Sequence, residues 1–435
     1  MSRRIYYDGL NLSLEHGTGI ATYTRMLTQL ARDLDYEAGV VYSSPHQPPT
    51  HPLLREIAFF DPNNAARISS SRGVYNKVID QVRHIRPVTP AAVDLTGAVI
   101  TDQFTDRLPL HDRIFASRNL FNNARTYFGW SGRFTELAFE VSPDILHCTY
   151  QLPLRARGAR NIYTIHDLVP LRLPYTTLDN KRQSYRLLRK IAAEADHIVT
   201  VSENSKRDIV QLLGVAEERV TNTYEAVTFP PALTERSDGE IAEQLHSAYR
   251  LEPRNYLMFY GALEPKKNIP RLIDGYLLSA VKEPLVIAGP VGWGNETEAK
   301  LLQQLQADER GQRPEARRLH RLEYVSRSML ATLIRGATAV LFPSLYEGFG
   351  LPVLEAMVLG TPVVTSRTSS LPEVGGDAAL YVDPYDTDDI ARAIRTITAD
   401  ADLRSELSRR GKVQAEQFSV DRYRERVAAL YERLV

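Results

Sequence analysis

Residues 344–357 read Ser344-Leu345-Tyr346-Glu347-Gly348-Phe349-Gly350-Leu351-Pro352-Val353-Leu354-Glu355-Ala356-Met357. They follow a short apolar run, Ala339–Phe342, which reads as a buried strand ending at Pro343. Gly348 and Gly350 allow a tight backbone at the strand's carboxyl end. Pro352 suits the first turn of a helix, where its missing N–H costs nothing, while Gly360 closes that helix and Pro362 stops it. The segment thus predicts strand, glycine turn and helix. The backbone amides of Gly348, Phe349, Gly350 and Leu351 fall at the helix N-terminus, where an anion is favoured. Glu347 lies in the turn and Glu355 in the first helical turns, so both can face one cleft and accept hydrogen bonds from sugar hydroxyls. The plainer reading makes them capping and dipole-pairing acids; the whole string weighs against it.

A second signal lies upstream. Gly261-Ala262-Leu263-Glu264-Pro265-Lys266-Lys267-Asn268 directly follows a predicted strand, Tyr256–Gly261. Paired lysines at a strand-to-helix turn can neutralise a diphosphate, and Asn268 can cap the next helix. Around these motifs, predicted strands at Leu285–Ala288, Arg321–Val325, Ala339–Phe342, Pro362–Thr365 and Leu380–Val382 alternate with helices. Helices close the chain at about 389–396, 401–418 and 421–434. An earlier series runs Ile5–Asp8, Val40–Ser43, Asp144–Cys148, Asn161–Ile165, His197–Val201 and Val220–Tyr224, with helices at about 20–34, 178–195 and 202–213. Alternation of this kind predicts βαβ units and parallel sheets. The polar, proline-bearing stretch between Glu225 and Arg254 reads as an interdomain connection. The expected architecture is α/β: two Rossmann-like, doubly wound domains facing a cleft, with ligands beyond the carboxyl ends of the strands. The expected boundaries are 1–230, 250–418, and a terminal helix, 419–435, packing back on the N-terminal domain.

The first series has weaker site features. Thr164-Ile165-His166-Asp167-Leu168 ends a strand, and Gly17-Thr18-Gly19-Ile20 forms a glycine turn after the first one. A histidine at a strand end is more often structural, and His147 is a second candidate of the same kind. Ser202 reads as a helix N-cap.

The chain has 435 residues, enough for two domains. Lys+Arg and Asp+Glu are both 53, so charge does not indicate a nucleic-acid partner. A single cysteine, Cys148, excludes an internal disulfide and suits a reducing cytoplasm. No apolar run reaches the 18 or so residues of a membrane span, and the start of the sequence lacks a signal-peptide core. Residues 55–140 give weak strand signals. Within them, Asp112–Phe134 places Ile114, Phe115, Leu120, Phe121, Phe128 and Trp130 among Arg113, Arg118, Arg125 and Arg133. That pattern suits either a basic helix on an anionic membrane or a core helix with a solvated basic face.

The two C-terminal strings, with Thr365-Ser366-Arg367-Thr368-Ser369-Ser370-Leu371-Pro372-Glu373-Val374, resemble the retaining glycosyltransferases of family 4, which have the GT-B fold. The resemblance is specific over about 256–384 and looser before it. It implies that Glu347 reaches the donor sugar, that Glu355 holds the donor ribose and that Lys267 stabilises the diphosphate. Relatives often carry an arginine just after the strand glycine; here Ala262 stands there, with Lys266 to supply the charge. The resemblance further implies that His166 lies by the transferred sugar and that Gly19 lets backbone approach the diphosphate. Glu225-Ala226 stands where relatives often carry Asn-Gly, so the hinge is expected to differ. The implied activity is transfer of a hexose, mannose favoured, from a nucleotide-sugar to a glycan or lipid-linked glycan. The likeness is to bacterial mannosyltransferases of surface polysaccharide and lipopolysaccharide assembly, which points to GDP-mannose, with UDP- and dTDP-sugars as alternatives. No Asp-x-Asp is positioned as a metal clamp, so neither metal nor resident cofactor is expected. The expected location is cytoplasmic, with peripheral contact at the inner face of the membrane. A nucleotide-sugar epimerase of the same fold and a non-catalytic sugar-nucleotide-binding scaffold are the competing readings.

Overall fold

In a computed structural model, residues 3–13, 19–61, 84–101, 104, 108–292 and 319–435 are described. Two separate sheets dominate them. The first has eight strands, in the order Val220–Asn222, His197–Thr200, Arg160–Thr164, Ile145–Cys148, Arg4–Asp8, Glu37–Ser44, Arg113–Arg118 and Ala91–Val93. All pairings are parallel except the last, which is antiparallel. The second has six strands, in the order Leu319–Leu322, Leu285–Ala288, Leu257–Tyr260, Ala339–Phe342, Val363–Ser366 and Ala379–Val382, all parallel.

The order of the second sheet decides where chemistry can happen. Numbered along the chain, its strands run 3-2-1-4-5-6. The winding therefore reverses between Leu257–Tyr260 and Ala339–Phe342, and ligands of such sheets bind beyond the strand ends at that reversal. Every residue of these two strands is buried, as both faces of a parallel sheet require. The first sheet reverses between Arg4–Asp8 and Ile145–Cys148, so the stretches that follow Asp8 and Cys148 line its switch point.

The chain's last helix, Val420–Leu434, closes against the first sheet. Its Tyr431 hydroxyl lies 3.0 Å from that of Tyr7 and 2.8 Å from His147 Nδ1. Arg433 donates to Thr221 Oγ1 at 2.8 Å. Burial pulls the pKa of His147 down to about 3, with the nearby His166 a smaller contribution, so its ring is neutral and serves this buried network. Its other nitrogen meets Thr164 Oγ1 at 2.8 Å.

Three expectations are corrected. The strand expected at Arg321–Val325 runs Leu319–Leu322, because Leu319 pairs with Leu285 and sets the register. The supposed connection at Glu225–Arg254 contains helices Pro231–Thr234 and Asp238–Tyr249. The second opens with a complete Ser237/Glu240 capping box and buries Ile241 and Leu245, and a Cβ on Gly336 would lie 2.4 Å from Leu245. Asp112–Phe134 is not one helix. Arg113–Arg118 is a strand of the first sheet, and helix Leu120–Ser131 turns Leu120, Phe121 and Phe128 inward. Of the apolar residues named in that stretch only Trp130 is exposed. Among the described residues no helix is long and apolar enough to cross a membrane.

Candidate active site

Both sequence motifs converge on the switch point of the second sheet. The turn after Leu257–Tyr260 carries Lys266 and Lys267, and the turn after Ala339–Phe342 carries Glu347. Lys267 Nζ donates to Glu347 Oε1 at 2.7 Å and stands 4.7 Å above the Phe342 ring. Lys266 Nζ lies 3.8 Å from the other Glu347 oxygen, 3.8 Å from Asp167 and 3.9 Å from Glu264. Burial works against charge on Glu347, but Lys267 and Lys266 outweigh it and hold the carboxyl below its usual range. Burial likewise works to discharge Lys266, and Glu347, Asp167 and Glu264 reverse that, raising its pKa. Both lysines are thus already partnered by carboxylates.

The Glu347 turn is held from below. Ser369 Oγ accepts from Glu347 N at 2.9 Å, and Ser370 Oγ donates to the carbonyls of Glu347 and Phe349 at 3.0 and 2.7 Å. Gly350 is the N-cap of helix Leu351–Val358 at φ +114, a backbone that a Cβ would strain. Among the described residues none of the amides of Gly348, Phe349, Gly350 and Leu351 donates a hydrogen bond. Gly348, Phe349 and Gly350 are nonetheless buried. Buried amides at a helix start without a partner among the described residues suit an anion.

Glu355 occupies the same helix. Burial pushes its carboxyl up to about 7, against opposing contributions from Tyr260 and Arg327. Asn268 makes no side-chain cap on the helix it precedes; its amide spans the carbonyls of Pro343 and Pro384 at 3.0 and 2.7 Å, tying the loop after Ala339–Phe342 to the one after the edge strand Ala379–Val382.

The first lobe closes the cleft from above. A Cβ on Gly348 would lie 2.5 Å from the His166 carbonyl oxygen, and one on Gly19 3.2 Å from Leu351 Cδ1. Gly19 and His166 therefore face the Gly348–Leu351 turn. Gly17 and Thr18 lie outside the described residues. His166 has both ring nitrogens engaged, Nδ1 with Glu225 Oε1 at 3.2 Å and Nε2 with the Thr149 carbonyl at 3.0 Å. Burial favours the neutral ring, but Glu225, the Thr149 carbonyl and Asp167 outweigh it and raise its pKa. In this arrangement His166 has no nitrogen left over for a sugar hydroxyl. His147 belongs to the network beneath the terminal helix.

Sequence reasoning missed the residues that join the lobes, Tyr346, Asp208, Asn204 and Glu373. Tyr346 and Glu373 stand inside the quoted strings, but no local pattern names a partner more than a hundred residues away. Among the described residues no group of three or more His, Cys, Asp or Glu side chains is arranged to hold a metal ion.

Comparison with known proteins bears on this geometry. The family model for glycosyl transferases group 1 matches residues 242–414, and that for Glycosyltransferase Family 4 matches 98–227. The chain is 36% identical over 275 residues to O-antigen chain mannosyltransferase B of Escherichia coli, covering 62% of this chain and 69% of that one. It is 28% identical over 323 residues to the serotype-specific mannosyltransferase WbdA of Escherichia coli. That match takes in 70% of this chain but only 38% of the relative, so this chain spans well under half of WbdA. Among solved structures, Anabaena HepE in complex with UDP-glucose superposes with a TM-score of 0.64 at 15% identity, covering 99% of each chain. At that identity the likeness speaks for the fold.

Proposed function

The chain belongs to the group 1 and family 4 glycosyltransferases, and from that membership we propose that it transfers mannose, with retention, from GDP-mannose to a glycan or lipid-linked glycan of a bacterial surface polysaccharide. The observation that carries the reading is the Lys267–Glu347 pair beside four amides that donate to none of the described residues, at the switch point of a 3-2-1-4-5-6 sheet. A departing nucleoside diphosphate is an anion whose charge grows as the bond breaks, and preorganised donors aimed at it lower the barrier. In this reading the amides of Gly348, Phe349, Gly350 and Leu351, with Lys267 and Lys266, receive the diphosphate, Gly19 allowing close approach from the other lobe. Glu347, released from Lys267, turns to the hexose hydroxyls, and Glu355 takes the ribose. His166 acts as a fixed, fully hydrogen-bonded wall of the sugar pocket. The acceptor hydroxyl forms its bond to the anomeric carbon on the face from which the phosphate oxygen leaves. Its proton passes to that oxygen, so no enzymic nucleophile is needed. The lysines supply charge that a metal would otherwise bring, and no resident cofactor takes part. The mannose preference rests on the O-antigen relative.

We also propose peripheral contact with the cytoplasmic face of the membrane, through helix Lys181–Glu194 together with the Trp130 end of the 112–134 stretch. Helix Lys181–Glu194 exposes Arg182, Tyr185, Arg186 and Arg189 at helical spacing. Nearby, Arg186 donates to the Gly129 carbonyl at 3.4 Å, next to exposed Trp130. Basic residues interleaved with aromatics suit an anionic interface. A variant with Arg182 changed to Glu and Tyr185 to Ser should lose cosedimentation with anionic vesicles while keeping its melting temperature; unchanged cosedimentation refutes the surface.

The transfer reading is tested with GDP-, UDP- and dTDP-sugars. A ligand of the native state raises the melting temperature, and GDP-mannose is expected to raise it most. Glu347→Ala and Lys267→Ala should each cut transfer at least ~100-fold, while chelator leaves wild-type turnover intact. Wild-type turnover in both variants would end the site assignment. Donor converted to another sugar nucleotide without acceptor would favour an epimerase, and donor binding without turnover a scaffold.

A further inference from the structure

The turn that presents Glu347 is tied to the opposite lobe on both sides of that residue. On one side the Tyr346 hydroxyl donates to Asp208 Oδ2, in a short contact, and accepts from Asn204 Nδ2 at 3.1 Å. On the other, Ser205 Oγ reaches the Gly348 carbonyl at 3.3 Å and the His166 carbonyl at 2.9 Å. Asn204, Ser205 and Asp208 all lie on one helix of the first lobe, Glu203–Leu213. That helix is held at its N-terminus by the second lobe, since the Glu373 carboxylate accepts from the amides of Glu203 and Asn204 at 2.8 and 2.6 Å. A carboxylate there completes the cap begun by Ser202 and opposes the helix dipole. Asp208 is 4% exposed and is held from behind by Arg172, whose Nε donates to Oδ1 at 2.9 Å. Val169 and Leu173 pack on Leu345 and Tyr346 to complete the contact.

We propose that Tyr346 and Asp208 are positioning residues that couple closure of the two lobes to the seating of Glu347, with Glu373 fixing the register of the helix that carries Asp208. The inference rests on the transfer reading for what Glu347 does, but not for how the lobes are joined. Ser369 and Ser370 hold the Glu347 turn from within its own lobe, and the bonds to Tyr346 and Gly348 complete its restraint only when the lobes meet. Water is then excluded at the same moment as Glu347 is delivered. Opening removes the Tyr346 and Gly348 clamps and leaves the turn to Ser369, Ser370 and Lys267 alone, so an open enzyme is poorly able to spend donor on hydrolysis.

The test uses the full chain with Tyr346→Phe, Asp208→Asn and the double variant. Lobe separation is read from spin labels at two exposed positions, one on each lobe, with and without GDP. In wild type the distance distribution is expected to narrow with GDP. In Tyr346→Phe it stays broad, while GDP affinity, read by calorimetry, stays within about twofold because the diphosphate groups remain. With GDP-mannose and acceptor, kcat should fall about tenfold with little change in KM, and the ratio of donor hydrolysis to transfer should rise. The double variant should be no worse than the worse single one, since both act through the same Tyr346–Asp208 contact. A narrowed distribution and a wild-type hydrolysis ratio in both single variants overturn the proposal. So do additive losses accompanied by a lowered melting temperature, which mark a merely structural contact. If wild type transfers nothing, the transfer reading fails, and the distance measurement still decides the coupling.

Discussion

At the scale of single residues, the site works by opposing burial with charge. Glu347 precedes helix Leu351–Val358 and Glu355 lies within it, yet the two lysines hold the first ionised while burial pushes the second up to about 7. A carboxyl whose folded pKa is raised stabilises the fold below its unfolded pKa, near 4.5, and loses that contribution as pH rises through about 7. Glu355→Gln has no such loss. Its melting temperature relative to wild type should therefore increase between pH 5 and pH 8, and a constant difference would contradict the burial argument. Binding carries the opposite sign. If Glu355 takes the ribose as proposed, its ionised form accepts more strongly, so GDP affinity in wild type should strengthen as pH rises through about 7, by more than in the Gln variant. Calorimetry at several pH values reads both.

Among elements, the helix Leu351–Val358 and its glycine turn decide the approach of the lobes. Gly348 has an ordinary backbone, so alanine is excluded there by space alone: its Cβ would meet a backbone carbonyl at 2.5 Å. Overpacking costs about 1–3 kcal/mol. Because that cost falls on the closed arrangement, Gly348→Ala should reduce transfer by roughly 5- to 150-fold. Its melting temperature should change less than that of Gly350→Ala, where a left-handed backbone is strained as well. Equal activity of Gly348→Ala and wild type would show that the lobes do not meet in turnover.

At the scale of the whole molecule, the terminal helix joins the two lobes. Tyr431 fills a buried position between Tyr7 and His147, 424 residues from the first of these. Removing its hydroxyl leaves His147 Nδ1 buried without that partner, which costs about 1–3 kcal/mol. Tyr431→Phe should therefore lower unfolding stability by that amount in urea titration, with GDP binding unchanged. A loss below ~0.5 kcal/mol would mean that water replaces the bond.

Much of this was legible in the chain. Strands such as Leu285–Ala288 and Ala339–Phe342 occur where read, because a strand buried on both faces must be apolar throughout and announces itself by composition. The Lys267 and Glu347 motifs were legible because glycine, proline and charge at a strand end have few other uses. Helix Asp238–Tyr249 was overlooked although its Ser237-x-x-Glu240 signature was present. What the sequence determined by itself was the two wound sheets and the loops at which their chemistry gathers, since these follow from periodicity and turn residues along a short stretch. Only the tertiary structure decided that both His166 nitrogens are spoken for, that Asn268 ties loops rather than caps a helix, and that Tyr346 reaches Asp208. Each of these is a pairing across a distance at which one side chain leaves no mark on the local pattern of its partner.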